Sequence, residues 1–107
     1  MKQLVWLSFD LGVNGDYENM YSWLDAQEAK ECGDSMACFS FEYEQDLFKE
    51  IKKAIAESVS IDKKKDRIYV VSLVQGTMKG RFLIGKRRRA PWTGYAATED
   101  QEEDLDV

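Results

Sequence analysis

The chain has no histidine, and that one absence removes a large share of ordinary enzyme chemistry. Ser-His-Asp and Cys-His nucleophiles, histidine general bases and histidine zinc sites are all excluded. Any acid–base or metal chemistry must run through carboxylates, lysine, tyrosine or water. Cysteine is scarce as well: Cys32 and Cys38 are the only two, and their separation matches no zinc-ligand spacing. They are expected to be buried thiols in a reducing compartment. No stretch approaches the roughly 18 consecutive apolar residues that a membrane helix needs. The N-terminus enters a strand pattern directly, without the layout of a secretory leader. A soluble, cytoplasmic protein with no membrane association is the expectation.

What is present suits one folded domain. The chain has 107 residues, 44% of them hydrophobic, enough to build a core. Its net charge of −5 is unevenly spread. The last ten residues, TEDQEEDLDV, hold six acids and no base, which leaves 15 bases against 14 acids elsewhere. Residues 1–97 therefore read as a nearly neutral domain and 98–107 as a disordered, solubilising acidic tail. Within the neutral body, GKRRRAPW concentrates four positive charges at Lys86, Arg87, Arg88 and Arg89.

Periodicity sets the order of elements. QLVWLSF at 3–9 reads as a strand. A helix follows, with Asp16 as N-cap and Tyr17, Met20, Tyr21 and Leu24 at helical spacing. Short and long strands at 29–32 and 35–43 flank Gly33-Asp34, which suits a tight turn of type II′. In EQDLFKEIKKAIAESV the residues Leu47, Phe48, Ile51, Ala54, Ile55 and Val59 form one apolar stripe, so a second helix is expected. DKKKD is a solvated loop, RIYVVSLV at 67–74 a strand, QGTMKG a turn and RFLIGK at 81–86 a last strand. The result is α+β: a ferredoxin-like βαββαβ sandwich with an additional C-terminal strand.

Both faces of the central strands are apolar. Val5, Leu7 and Phe9 point one way, while Leu4, Trp6, Ser8 and Asp10 point the other. Tyr69, Val71 and Leu73 likewise oppose Ile68, Val70 and Ser72. Two helices cover only one face, and large exposed apolar patches are rare on soluble monomers. The second face is expected to pack on a second copy of the chain about a two-fold axis. The alternative is that the last strand and the APWTGYA segment fold back over it within one chain. Trp6 and Trp23 are read as core or interface residues.

Two groups of residues carry candidate chemistry. Asp10 ends the first strand on the open face. It either caps the turn at Gly12 or, paired with its copy across a dimer axis, holds Mg2+ or Mn2+ for phosphodiester cleavage. The Lys86–Arg89 run, with Arg81, Lys79, Trp92 and Tyr95 nearby in sequence, suits phosphate contacts and base stacking. GRFLIGKR only mimics a phosphate-binding loop: arginine stands where serine or threonine would hold magnesium, and its interior is a strand.

The strand ending in SFDL, the helix after it, the hairpin GDSMACFSF and the strand DRIYVVSL resemble the small CRISPR-associated protein two and the related virulence-associated protein D ribonucleases. The likeness covers roughly residues 3–90 in layout. It implies a ferredoxin-like homodimer packed through its sheets, often with a fifth strand donated across the dimer. It also implies that Asp10 binds a divalent metal between protomers, in a nuclease or in a nucleic-acid-binding scaffold. Two features depart from that family: Phe9 precedes the aspartate where tyrosine is usual, and the arginine run with its acidic tail is foreign to the pattern.

The sequence thus leads to a nucleic-acid-binding homodimer, for RNA or DNA. Asp10 is the candidate catalytic and metal-binding residue of a divalent-metal-dependent nuclease, and Arg81, Lys86, Arg87, Arg88, Arg89 and Trp92 are the candidate nucleic-acid contacts. The competing expectation is a non-enzymatic protein-interaction or regulatory module.

Overall fold

A computed structural model describes residues 1–96; the acidic tail at 98–107 lies outside the described residues. Five strands and two helices follow one another as β1 (Lys2–Asp10), α1 (Tyr17–Ala26), β2 (Lys30–Glu31), β3 (Met36–Glu42), α2 (Leu47–Ser58), β4 (Arg67–Val74) and β5 (Thr77–Ile84). The strands form a single antiparallel sheet in the order β2-β3-β1-β4-β5. This α+β architecture is compatible with the expected ferredoxin-like arrangement. β5 pairs antiparallel with β4 of its own chain.

Each helix begins on an aspartate. Asp16 accepts the Asn19 N–H at 3.3 Å, and its other oxygen takes the Ser60 N–H at 2.8 Å, tying the start of α1 to the chain leaving α2. The Ser60 bond is the main reason the Asp16 carboxyl titrates below its ordinary value, with the Asn19 side chain adding to it. Asp46 caps α2 by accepting the Lys49 N–H at 3.1 Å. One turn on, Glu50 reaches back to the N–H groups of Glu44, Gln45 and Asp46 at 2.9, 2.9 and 2.7 Å. Those three bonds satisfy donors the helix start would leave orphaned, and they hold the Glu50 carboxyl below its ordinary value.

The expected stripe on α2 is real: Leu47, Phe48, Ile51 and Ile55 are buried. With Met20, Trp23 and Leu24 of α1 they cover the face made by Val5, Leu7, Phe9, Phe39, Ile68 and Val70. Trp23 packs edge-on against Phe39, with ring centroids 5.4 Å apart, so it belongs to the core as expected. Ser72, wholly buried on this face, donates its hydroxyl to the Leu4 carbonyl.

Four expectations change. The β4–β5 hairpin turns on Gln75-Gly76 alone, with φ of 52° and 79°, as a type I′ turn requires; Thr77–Gly80 is strand, not turn. The β2–β3 connection is longer than a two-residue turn, with Met36 N–H bonding back to the Gly33 carbonyl at 3.3 Å. The cysteines are not buried: Cys32 is exposed and Cys38 half-buried on the open face. Partial burial still pushes the Cys38 thiol up. Nor does the APWTGYA segment cover the second sheet face, since Trp92 and Tyr95 are 73% and 71% exposed.

That second face is open across its width. The register places Ser40 beside Leu4, then Cys38, Trp6, Val71 and Gly80 in line, then Met36, Ser8, Tyr69 and Phe82. Leu4, Leu73 and Met78 are 43%, 48% and 57% exposed. The last pair in line is charged: Asp10 and Arg67. The face therefore carries an exposed apolar group, Leu4, Leu73 and Met78, bordered by the Lys2–Glu42 pair, and ends at the other side in Asp10 and Arg67.

Candidate nucleic-acid interface

Asp10 closes β1 directly opposite Arg67, the first residue of β4. The Arg67 Nη2 donates to Asp10 Oδ2 at 2.8 Å, with the two side chains 27% and 58% exposed. The Arg67 Nε is buried and has no hydrogen-bond partner. Asp10 does not cap the turn at Gly12. Asp66 does so: it is 1% exposed, its Oδ1 accepts the Gly12 N–H and its Oδ2 the Asp62 N–H, both at 2.8 Å. One carboxylate thus anchors the loop after β1 and the loop before β4, while the other stands at the rim of the open face with an arginine as counter-ion. Among the described residues no three carboxylate or cysteine groups converge as a metal site would need. A divalent ion at Asp10 would compete with Arg67, which bonds only Oδ2, and its other ligands would come from water or a second chain.

Beside that ion pair lies a cleft of about 300 Å³, lined by Ser8, Asp10, Arg67, Tyr69, Phe82 and Arg87. Its floor is aromatic. Tyr69 and Phe82 face each other across β4 and β5, with centroids 4.7 Å apart at 67°. The Arg87 guanidinium lies 5.6 Å from the Phe82 centroid, within cation–π range.

The basic run gains company the sequence did not advertise. Because β4 starts where β5 ends, the loop at Lys63–Lys65 comes beside Lys86–Arg89. Lys63, Lys64, Arg67, Lys86 and Arg88 line one groove, and Arg88 Nη2 bonds the Lys65 carbonyl at 3.3 Å. Two basic stretches about twenty residues apart in sequence thus converge on the ionic end of the open face. DKKKD read in isolation is only a solvated loop; the signal that would have found it is the antiparallel pairing of the strands it precedes and follows.

The other expected contacts scatter. Arg81 sits on the helix-covered side, 5.2 Å from the Phe48 ring centroid, and shares a groove with Lys79, Met1 and Gln75 at the far end of the sheet. It is separated from Lys86–Arg89 by half a strand and by the sheet itself. Trp92 projects into solvent in the turn after the basic run and lines neither the cleft nor the groove.

No family model matches the chain, and no curated protein or solved structure does. Its chemistry has to be read from the site alone.

Proposed function

We propose that the protein is a ferredoxin-like homodimer that binds nucleic acid. The observation that carries the reading is the contrast along the open sheet face between the exposed apolar group Leu4, Leu73 and Met78 and, toward the Asp10 end, Arg67, Arg87 and two basic stretches. The apolar end suits a second copy of the chain, because large exposed apolar residues in a row are stabilised by being covered. The basic end suits phosphate, since clustered arginine and lysine release condensed counterions when they meet a polyanion.

Binding is favoured over cleavage by one contact. Asp10 already holds a cation, the Arg67 guanidinium at 2.8 Å, and a shared metal between two copies of Asp10 would require the dimer axis at the ionic end rather than the apolar one. Mg2+- or Mn2+-dependent nuclease activity at Asp10 is the second reading, carried by the half-exposed Asp10 carboxylate and its place beside the basic groove.

The test pairs two measurements on the full chain. Light scattering should give twice 12.4 kDa. Binding to labelled oligonucleotides should weaken steeply with salt, and replacing Lys86, Arg87, Arg88 and Arg89 by glutamine should reduce the slope of log K against log salt by up to about 3. Absence of binding at low salt, or a slope untouched by the four replacements, refutes the reading.

A further inference from the structure

We infer that the cleft at the ionic end of the open face is a stacking site that selects single-stranded nucleic acid, with Tyr69 as the plate on which an unpaired base lies. The inference rests on the nucleic-acid reading above and adds to it the form of the strand and the residue that discriminates.

The first observation is how Tyr69 lies. A Cβ added at Gly80 would collide with the Tyr69 hydroxyl oxygen and stand 2.7 Å from Cζ and 3.0 Å from Cε2. The ring is thus laid down across β5, over the one position in that strand with no side chain. Tyr69 pairs with Phe82, not with Gly80, so its side chain leans diagonally along the sheet to occupy that gap. A ring standing off the sheet presents an edge. A ring leaning along it can offer a base its π-face, the surface on which bases stack.

The second observation is what rims the plate. Phe82 meets Tyr69 edge-on and is itself overlain by Arg87. Arg67, Asp10 and Ser8 complete the lining of the cleft. The two guanidinium groups suit the phosphates on either side of a bound base. Asp10 and Ser8 offer acceptors, and Ser8 a donor, to the edge of the base. The Arg67 Nε has no hydrogen-bond partner, and a phosphate that drew the guanidinium round would supply one.

The third observation is size and charge. A cleft of about 300 Å³ sits at the small end of ligand sites; it takes one nucleotide unit and not a duplex. The basic groove lined by Lys63, Lys64, Lys86 and Arg88 shares Arg67 with this cleft, and its charges suit the backbone beside the stacked base. In a duplex both faces of each base are already stacked on neighbours, so only an unpaired strand can use the plate. Every base has a π-face, so the preference is for strandedness rather than sequence.

The experiment is fluorescence anisotropy with labelled oligothymidine and oligouridine strands of about twelve nucleotides, a length within the range single-strand sites occupy. A duplex of equal length and an abasic strand of equal charge are run beside them. Wild type should bind the single strands about tenfold or more tighter than the duplex and the abasic strand. Tyr69→Leu should lose about tenfold on the single strands, the scale of one base–aromatic stack, and nothing on the abasic strand, with its salt slope unchanged. Gly80→Ala keeps every aromatic ring but lifts Tyr69 off the strand, and should lose a similar factor; it guards against a Tyr69→Leu chain that fails to fold. If both folded variants bind single strands like wild type, stacking on Tyr69 is refuted while the nucleic-acid reading stands. Equal affinity of wild type for duplex, abasic and single strands refutes it too. If wild type binds none of these probes at low salt, both readings fall. If Tyr69→Leu instead turns a dimer into a monomer by light scattering without changing the affinity for single strands, the plate is a protein interface and the inference is wrong.

Discussion

Replacing Asp66 with asparagine removes one carboxylate oxygen from a side chain that is 1% exposed. Asp66 accepts two backbone N–H bonds of 2.8 Å, from Gly12 and from Asp62. An amide keeps the shape but turns one acceptor into a donor, so one of those N–H groups faces another donor with no acceptor in reach. A hydrogen bond to a charged group contributes about 1.5–3 kcal/mol, and orphaning a buried donor costs about 1–3 kcal/mol. Because these overlap, the expected loss is about 2–4 kcal/mol. Asp10→Asn is the matched control. It also removes a carboxylate's charge beside the same strand ends, but Asp10 is 58% exposed and its Arg67 partner 27%, and such surface pairs contribute about 0–1 kcal/mol. Urea unfolding of both variants, followed by tryptophan fluorescence, measures the difference through the midpoint at constant m. Asp66→Asn should shift the midpoint severalfold more than Asp10→Asn. Equal shifts would refute the claim that Asp66, and not Asp10, secures the loops around the site.

Three further outcomes concern Glu50, Asp10 and Arg67. The Glu50 carboxyl is held below its ordinary value of 4.5 by the N–H groups of Glu44, Gln45 and Asp46. Its contribution to stability is therefore complete above that value and lost as pH falls through its lower, folded-state value. Urea midpoints should fall with acid in the wild type, and Glu50→Gln should lower the midpoint at neutral pH while flattening that acid limb; an unchanged acid limb refutes the assignment. For the second reading of Asp10, labelled RNA and double-stranded DNA are incubated with Mg2+, Mn2+ or chelator. Cutting by wild type that needs metal and vanishes in Asp10→Ala supports a metal at Asp10, and cutting that survives in Asp10→Ala removes Asp10 from catalysis. Arg67→Gln separates the two readings further: it frees Asp10 for a metal, so metal-dependent cutting should rise, whereas oligonucleotide binding should weaken as a phosphate contact is lost.

Much of the fold was legible in the residues because it rests on local causes. Leu47, Phe48, Ile51 and Ile55 recur at helical spacing, and Asp46 ahead of them caps the helix; both signals lie within a few residues of one another. Alternation in LVWLSFD assigned Leu4, Trp6, Ser8 and Asp10 to one face and Val5, Leu7 and Phe9 to the other, and the register bears this out. The sequence likewise implied that the second face would be left without helices. Where it misled, the deciding geometry was not local. Thr77–Gly80 contains residues poor in strand propensity, yet each is held by pairing with β4, and tertiary context overrides so weak a preference. Cys38 looked like a core residue, but alternation with Ala37 and Phe39 turns it to the open side.

The site itself belongs to the tertiary structure. Asp10 could be named as a candidate from its place after a strand, but its partner Arg67 lies 57 residues on and is brought to it only by the β1–β4 register. Asp66 carried no motif at all; it takes up the capping role at Gly12 because two loops meet there. Arg81 and Arg87 are six residues apart in one basic neighbourhood, yet they lie on opposite sides of the sheet, one over Phe48 and one over Phe82. Charge, composition and periodicity are properties of a chain read along its length. Which charges share a surface is set by strand pairing, and only the folded sheet brings Lys63–Lys65, Arg67 and Lys86–Arg89 to one end.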